Sequence, residues 1–328
     1  MASQISWSFK HFDAKTVDEA VKHLIDSEGK ASLIAGGTDL LNVLKDRILP
    51  HPPEAVINLK TIPGLDTIRN DPHGLNIGAL VRLRDLASSA RIRDSYPVFW
   101  KAATSVASPQ IRNMATIGGN LCQDVRCWYY RTPRLIRGAV VCKRKGGTKC
   151  YALGGDNRYH SIFGGAQGCH AVCLSDLAIA LICLGAQAET SKRTVPLEDF
   201  ILPGVGTALD SDEVLIGIHI PPPKTGSKGA YVKFTTRKAT DFAIVSVAAL
   251  LMFEKKECKE ARIVLGGVAP GPWRASSSED ILKEETVDAS TAEEAGKMAI
   301  AGAKPLKENA YKIPLVQALV KRAILACL

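Results

Sequence analysis

Two glycine pairs set at strand-to-helix junctions constrain this chain more than any other feature. In "LIAGGTDLL", Gly36 and Gly37 follow a short apolar run and precede a segment with helical spacing. In "ATIGGNL", Gly118 and Gly119 repeat the device with Thr116 and Asn120 as hydrogen-bonding neighbours. A glycine pair at such a junction leaves backbone amides unhindered beside a helix N-terminus, which is the chemistry that receives a phosphate. Neither pair carries the three spaced glycines of the dinucleotide fingerprint or the lysine of the P-loop. Alone, each is more often a plain tight turn; together, two such turns would grip a ligand with two phosphates.

The elements around the turns follow from periodicity. "TVDEAVKHLIDS" predicts a helix with Thr16 as cap, Glu19 closing a capping box, and Val17, Ala20, Val21, Leu24 and Ile25 on one face. "ASLIAGG", "TDLLNVLKDRI" and "AVINL" give a strand, helix and strand that end near Ile62. A second unit starts with the strand and helix of "GLNIGALVRLRDLA", runs through the turn "SPQIRNMATIGGNL" and resumes as the capped helix "SDLAIALICLGAQ". "AQAETSKRTVPLEDF" and "DEVLIGIHIP" have strand character, and "PPPKTGSKG" reads as a linker with a boundary near Lys224. The remainder opens in strands and closes in helices. The predicted division is 1–62, 63–224 and 225–328, in a chain of 328 residues.

Composition removes several classes of function. A formal net charge of +9 permits anionic partners, but there is no zinc-finger spacing, RNA-binding signature or basic tail, so nucleic acid is not expected. No stretch has the length of a membrane span or the character of a signal peptide, which makes cytoplasm the expected compartment and a membrane an unexpected partner. Nine cysteines, odd in number and unevenly spread, suit metal binding or buried thiols better than a disulfide framework. There is no nucleophile elbow and no HExxH helix. His51, His73, His160 and His170 are scattered without an acid partner and are expected to be surface or packing residues.

Between the second glycine pair and "SDLA" lies an insertion, about 122–170, rich in cysteine and basic residues. Each iron of a 4Fe-4S cube keeps one position for a protein thiolate, and the cube so held is a net anion. Cys127, Cys142, Cys150 and Cys169 are the candidate ligands, with Cys122 as a rival. Arg126, Arg131, Arg134, Arg137, Lys143, Arg144, Lys145 and Lys149 would supply compensating charge. A four-cysteine zinc site is the alternative, although no two of the four candidate ligands stand in the usual close C-x(2–4)-C chelate. Trp128, Tyr129 and Tyr130 are expected to pack beneath the loop instead of stacking RNA bases.

The motifs "AGGTDLL", "RNMATIGGNL", "SDLAIAL" and "GGVAPGPWRA", in this order, resemble the FAD-binding medium subunit of the xanthine dehydrogenase family of molybdenum hydroxylases. The likeness runs from "KTVDEAVKHL" to the C-terminal helices. It implies an α+β chain: a two-subdomain FAD-binding fold of the vanillyl-alcohol oxidase type, then a small α+β domain like the C-terminal domain of the CO dehydrogenase flavoprotein. By the same likeness, Ile34, Ala35, Gly36, Gly37, Thr38 and Asp39 would carry the FAD pyrophosphate. Ala107, Thr116, Gly118, Gly119 and Asn120 would continue the cradle, and Asp176, Leu215 and Lys233 would add further flavin contacts. Without it, Asp176 reads as a helix-cap residue, Leu215 as an ordinary strand residue and Lys233 as a solvated lysine.

The insertion resembles the 4Fe-4S loop of the 4-hydroxybenzoyl-CoA reductase beta subunit and of the bacterial aldehyde oxidoreductase flavin subunit. That likeness gives the ligand role to Cys127, Cys142, Cys150 and Cys169. The segment "YALGGDNRYHSIFGGAQG" lengthens the gap before Cys169, which makes the fourth ligand the departure from the pattern. What the resemblance implies is an electron-transfer subunit working with a molybdenum-cofactor large subunit, a 2Fe-2S small subunit and an external carrier such as ferredoxin, with no catalytic residue of its own. The reading from another class is a zinc-bearing, anion-binding scaffold or assembly protein. An independent flavin oxidase would need a larger substrate domain than this chain has.

Overall fold

The computed structural model describes residues 5, 7–133, 140–237 and 240–328; Arg134 and Arg137 of the predicted cation set lie outside them. Three parallel strands open the chain, Lys10–Asp13, Ala31–Ile34 and Ala55–Asn58, with the last in the centre. All four residues of that central strand are buried, as a strand flanked on both sides requires. Helix Val17–Asp26 buries Ala20 and Leu24, and the Thr16 hydroxyl accepts from the Glu19 amide at 3.1 Å. The expected capping box does not close. The Glu19 carboxylate accepts from the Lys15 amide at 2.7 Å, one residue ahead of the cap, and so satisfies a different donor.

The middle unit is a five-stranded antiparallel sheet in the order Ile68–Asp71, Gly74–Gly78, Leu215–Ile220, Gln187–Thr190, Thr194–Pro196. Its core joins Ile77 and Ile218 of the sheet to Phe99, Leu177 and Leu181 of the covering helices. Helix Asp176–Cys183 is buried at every residue, and the Ser175 hydroxyl caps it by accepting from the Ala178 amide at 3.1 Å. The segment read as one turn, "SPQIRNMATIGGNL", is two short helices, Pro109–Arg112 and Ile117–Leu121. Ser108 and Thr116 each cap one, because each hydroxyl stands three residues ahead of an amide left without a helical acceptor.

The C-terminal unit pairs Ser227–Phe234, Val245–Glu254, Glu257–Gly266 and Trp273–Arg274 antiparallel, with the helices Ser276–Leu282, Ala289–Met298 and Lys312–Leu325 sharing its core. Tyr231, Ala248 and Val264 from this sheet enter the core of the middle unit. Cys183, Cys258 and Cys327 are buried in these cores. No helix among the described residues is long and apolar enough to cross a membrane.

The two glycine turns are locked together. A Cβ on Gly36 would collide with the Met114 carbonyl oxygen, just ahead of the second turn, and one on Gly118 would lie 2.8 Å from the Ala79 oxygen. Both positions are glycine because backbone packs against backbone, a different reason from the phosphate approach expected of them. Gly37 needs glycine for its conformation, with φ at +72°. Gly36→Ala is therefore expected to cost about 1–3 kcal/mol by overpacking. Gly154→Ala, where an added Cβ meets nothing within 4 Å, is expected to change stability by less than about 0.5 kcal/mol. Urea denaturation of the two variants measures the difference, and equal midpoints would show that the turns do not lock.

Candidate cofactor sites

Two adjoining cavities, of about 340 and 310 Å³, run along the glycine turns. Residues 35–39 line the first, together with Thr116, Gly118, Gly119 and, from the middle sheet, Leu215. Thr38, Asp39 and Gly119 also face the second, which continues to Ala107, Asn120, Asp176 and Lys233. The fold thus gathers every residue predicted for the flavin except Ile34, which lines neither cavity and packs under Gly37 at 3.6 Å from where a Cβ would stand. Cys122 is exposed and lines the first cavity, which no other cysteine lines.

The turns differ in what they offer. Among the described residues, the amides of Gly36, Gly37, Thr38, Asp39 and Leu40 donate to no protein acceptor, and all five residues line the first cavity. That run of unused donors is an anion nest. The second turn has no such run: the Gly118 amide bonds the Ala79 carbonyl, Gly119 the Thr116 hydroxyl and Asn120 the Thr116 carbonyl. It supplies a close wall instead, since a Cβ on Gly119 would meet only the Thr116 hydroxyl within 4 Å. The expectation that the second turn repeats the first fails because its helix begins at once and consumes the donors. Asn120 is likewise occupied, its side-chain oxygen accepting from the Ser175 hydroxyl at 2.6 Å.

At the far end the Lys233 ammonium meets the Asp176 carboxylate at 2.6 Å and the Ser105 carbonyl at 3.1 Å, while Tyr231 donates to the other Asp176 oxygen at 2.6 Å. Lys233 is not a solvated strand lysine, and Asp176 does not act as a side-chain cap. Burial raises the Asp176 carboxyl above the usual range against the pull of Lys233. Nearby, Ala107 holds a left-handed φ of 45°, uncommon for a side chain with Cβ, with Arg112 bonding the carbonyls of Val106 and Ala107.

The Asp39 side chain also ties the first turn to the insertion. Its carboxylate accepts from Arg126, from Arg131 at 2.9 Å and from the Asp124 amide at 3.0 Å, all three in the cysteine-bearing insertion. Burial opposes the charge, but the hydrogen bond from Arg131 and the two guanidinium charges hold the carboxyl below its ordinary value. Asp124 in turn accepts from the Tyr130 hydroxyl and from Arg144 at 2.6 Å. Arg126, Arg131 and Arg144, predicted to compensate a cluster, thus already have acid partners. Lys145 is buried with its ammonium on the Thr132 carbonyl, and Lys149 stands 4.9 Å over the Tyr151 ring.

Within the insertion, burial pushes the Cys127 thiol up to about 12, and the neighbouring Cys169 and Cys142 sulfurs act in the same direction while the Tyr130 and Tyr129 amides oppose them. Burial also raises Cys169, with Cys150 and Cys142 adding and the Ala171 amide and Arg144 opposing. Cys169 thus lies within electrostatic reach of Cys127, Cys142 and Cys150, and Cys127 of Cys142. Among the described residues, no three His, Cys, Asp or Glu side chains converge on a point as ligands of one ion do.

Two residues outside the predicted site line the same cavity as Cys127. His160, expected at the surface or as packing, is 2% exposed, with Nε2 3.2 Å from the Cys127 sulfur. Burial and the Lys312 charge push its imidazole down to about 4, so it is neutral near pH 7. Lys312 is 1% exposed and donates to the carbonyls of Tyr159, His160 and Gly267, with no carboxylate partner among the described residues. Both line a cavity of about 380 Å³ with Cys127 and Arg126. The one signal was the lengthened gap before Cys169, which contains His160.

Burial lowers Lys312 from 10.5 to about 7. Between those values the unfolded chain holds a proton that the folded chain has released, so raising the pH through this window stabilises the fold. In cofactor-free protein, the unfolding free energy of wild type minus that of Lys312→Met is expected to rise from about pH 7 to pH 10. A difference that stays flat across this range would contradict the buried-charge account.

Residues 7–223 match the family described as FAD binding domain in molybdopterin dehydrogenase, and residues 230–327 match the CO dehydrogenase flavoprotein C-terminal domain. The aldehyde oxidoreductase FAD-binding subunit PaoB of Escherichia coli (strain K12) is 37% identical over 299 residues, 88% of each chain. The carbon monoxide dehydrogenase medium chain of Hydrogenophaga pseudoflava is 29% identical over 96% of each. A solved structure of the Hydrogenophaga pseudoflava carbon monoxide dehydrogenase, lacking the Mo-pyranopterin moiety of its cofactor, superposes with a TM-score of 0.77 at 27% identity, over 98% of this chain and 97% of that one. With its open amide nest and α+β architecture, this chain belongs to the FAD-binding medium subunits of the xanthine dehydrogenase and CO dehydrogenase family of oxidoreductases.

Proposed function

We propose that the chain is the electron-transfer subunit of a molybdenum hydroxylase complex, carrying FAD along the glycine turns and a 4Fe-4S cube in the cysteine insertion. The observation that carries this reading is the Asp39 tie, which makes the wall of one candidate cofactor site an anchor of the other. When bound, FAD supplies exchange between two-electron and one-electron transfer, and the cube a one-electron relay.

The residues fit an elongated dianionic ligand. The amides of residues 36–40 would receive the pyrophosphate, Gly119 would let it approach, and Ala107, Asn120, Leu215 and the Lys233–Asp176 pair would hold the rest of the flavin. For the cube, Cys127, Cys142, Cys150 and Cys169 would be the ligands. The fit rests on a shortage of negative charge and of hydrogen-bond partners around Cys127: Lys312 is buried without a carboxylate, and Arg126 Nε and His160 Nδ1 are buried with no partner. A buried anion would relieve that imbalance. We assign the FAD subdomains to 1–62 and 63–224 and the C-terminal domain to 225–328.

Kinship with the aldehyde oxidoreductase and carbon monoxide dehydrogenase subunits supports a molybdenum-cofactor large subunit and a 2Fe-2S small subunit as partners. The cube would extend the route from flavin toward a carrier of the ferredoxin class. Serine substitution tests the ligand set. Cys127→Ser, Cys142→Ser, Cys150→Ser and Cys169→Ser are each expected to fall well below about four irons per chain, while Cys122→Ser keeps its iron and all five keep FAD. Full iron in Cys169→Ser with loss in Cys122→Ser would transfer the fourth position to Cys122.

A further inference from the structure

We infer that His160 is a positioning residue for the cysteine insertion, whose imidazole N–H hydrogen-bonds the Cys127 sulfur and makes the cluster held there easier to reduce. The inference rests on the cube reading proposed above. It begins from a contact: Nε2 lies 3.2 Å from the Cys127 sulfur, inside a site from which His160 is 98% excluded from solvent. Nδ1 has no partner. Once Cys127 is a thiolate, its sulfur has no proton to give, so the contact becomes a hydrogen bond only if Nε2 carries the hydrogen. A proton on Nδ1 would instead be a buried donor with no acceptor, facing away from the one anion available.

The ring is held where it is from three sides. Trp128 meets it edge-on at 5.6 Å between centroids, and Tyr129 lies at 6.1 Å. The His160 amide donates to the Asn157 carbonyl at 2.9 Å, and its carbonyl accepts from the Asn309 side chain and the Lys312 ammonium, each at 3.0 Å. Asn309 and Lys312 come from the far end of the chain, so the C-terminal domain fixes a donor against a sulfur of the insertion. A neutral donor on a ligand sulfur, with a buried ammonium behind it, stabilises the form of the cluster that carries one more electron. No step of the relay otherwise uses either residue.

The test compares anaerobically purified full-length protein with His160→Gln, which keeps an N–H donor of similar reach, and His160→Phe, which keeps the aromatic volume and removes the donor. Iron and flavin are counted, and the cluster midpoint potential is read by paramagnetic resonance during a redox titration. The expected result is equal iron in all three, a midpoint shifted to more negative potential in His160→Phe, and one close to wild type in His160→Gln. Iron lost from His160→Phe alone also supports the donor as a holder of the cluster. An unshifted midpoint in iron-replete His160→Phe overturns the inference, as does a His160→Gln midpoint as low as that of His160→Phe. Loss of iron from both variants overturns it by making the ring a ligand or a structural support. A wild-type protein that takes up no iron refutes the cube reading itself, and the inference falls with it.

Discussion

The Asp39 carboxylate is the joint on which the arrangement turns. It ends the first glycine turn, and it is met by two guanidinium groups and one amide from an insertion whose described residues otherwise form only short helical turns. Hydrogen bonds to charged groups contribute about 1.5–3 kcal/mol each, against about 0–1 kcal/mol for exposed pairs such as Arg84 with Asp85. Asp39 and both arginines are largely shielded from solvent, so the stronger figure governs. Asp124 extends the joint inward by gathering Tyr130 and Arg144, and the small apolar cluster of Val43, Ile48, Tyr130 and Cys142 closes beneath it.

This arrangement alters how the basic insertion is understood. Its arginines serve first to fasten the loop to the wall of the glycine-turn cavities, and the buried positive charge without a carboxylate in the cavity of Cys127 is a lysine from the other end of the chain. The C-terminal domain therefore contributes to both candidate sites. It supplies Lys233 to the Asp176 pair at the end of the glycine-turn cavities, and Asn309 and Lys312 behind the segment that carries His160. The shared core of Tyr231, Ala248 and Val264 with the middle unit gives that contribution a rigid base.

Much of this was legible in the sequence where the cause is local. The Thr16 and Ser175 caps, the strands on either side of the first glycine turn and the linker after Ile220 follow from spacing and side-chain chemistry within a few residues. The motifs gathered around the cavities were legible by resemblance. What could not be read depends on partners far along the chain: Gly36 is set by Met114, Gly118 by Ala79, Lys233 by Asp176, and Asp39 by Arg126 and Arg131. His160 is of the same kind: its one local signal is the lengthened gap before Cys169, and its neighbour Cys127 stands thirty-three positions earlier.

The most direct measurement is the cofactor content of the anaerobically purified chain, with flavin, iron, acid-labile sulfide and zinc determined on one sample alongside its visible spectrum. The account predicts one FAD with about four irons and four sulfides per chain. FAD without iron would leave a flavin subunit whose insertion holds no cluster, and zinc without flavin would contradict the account altogether.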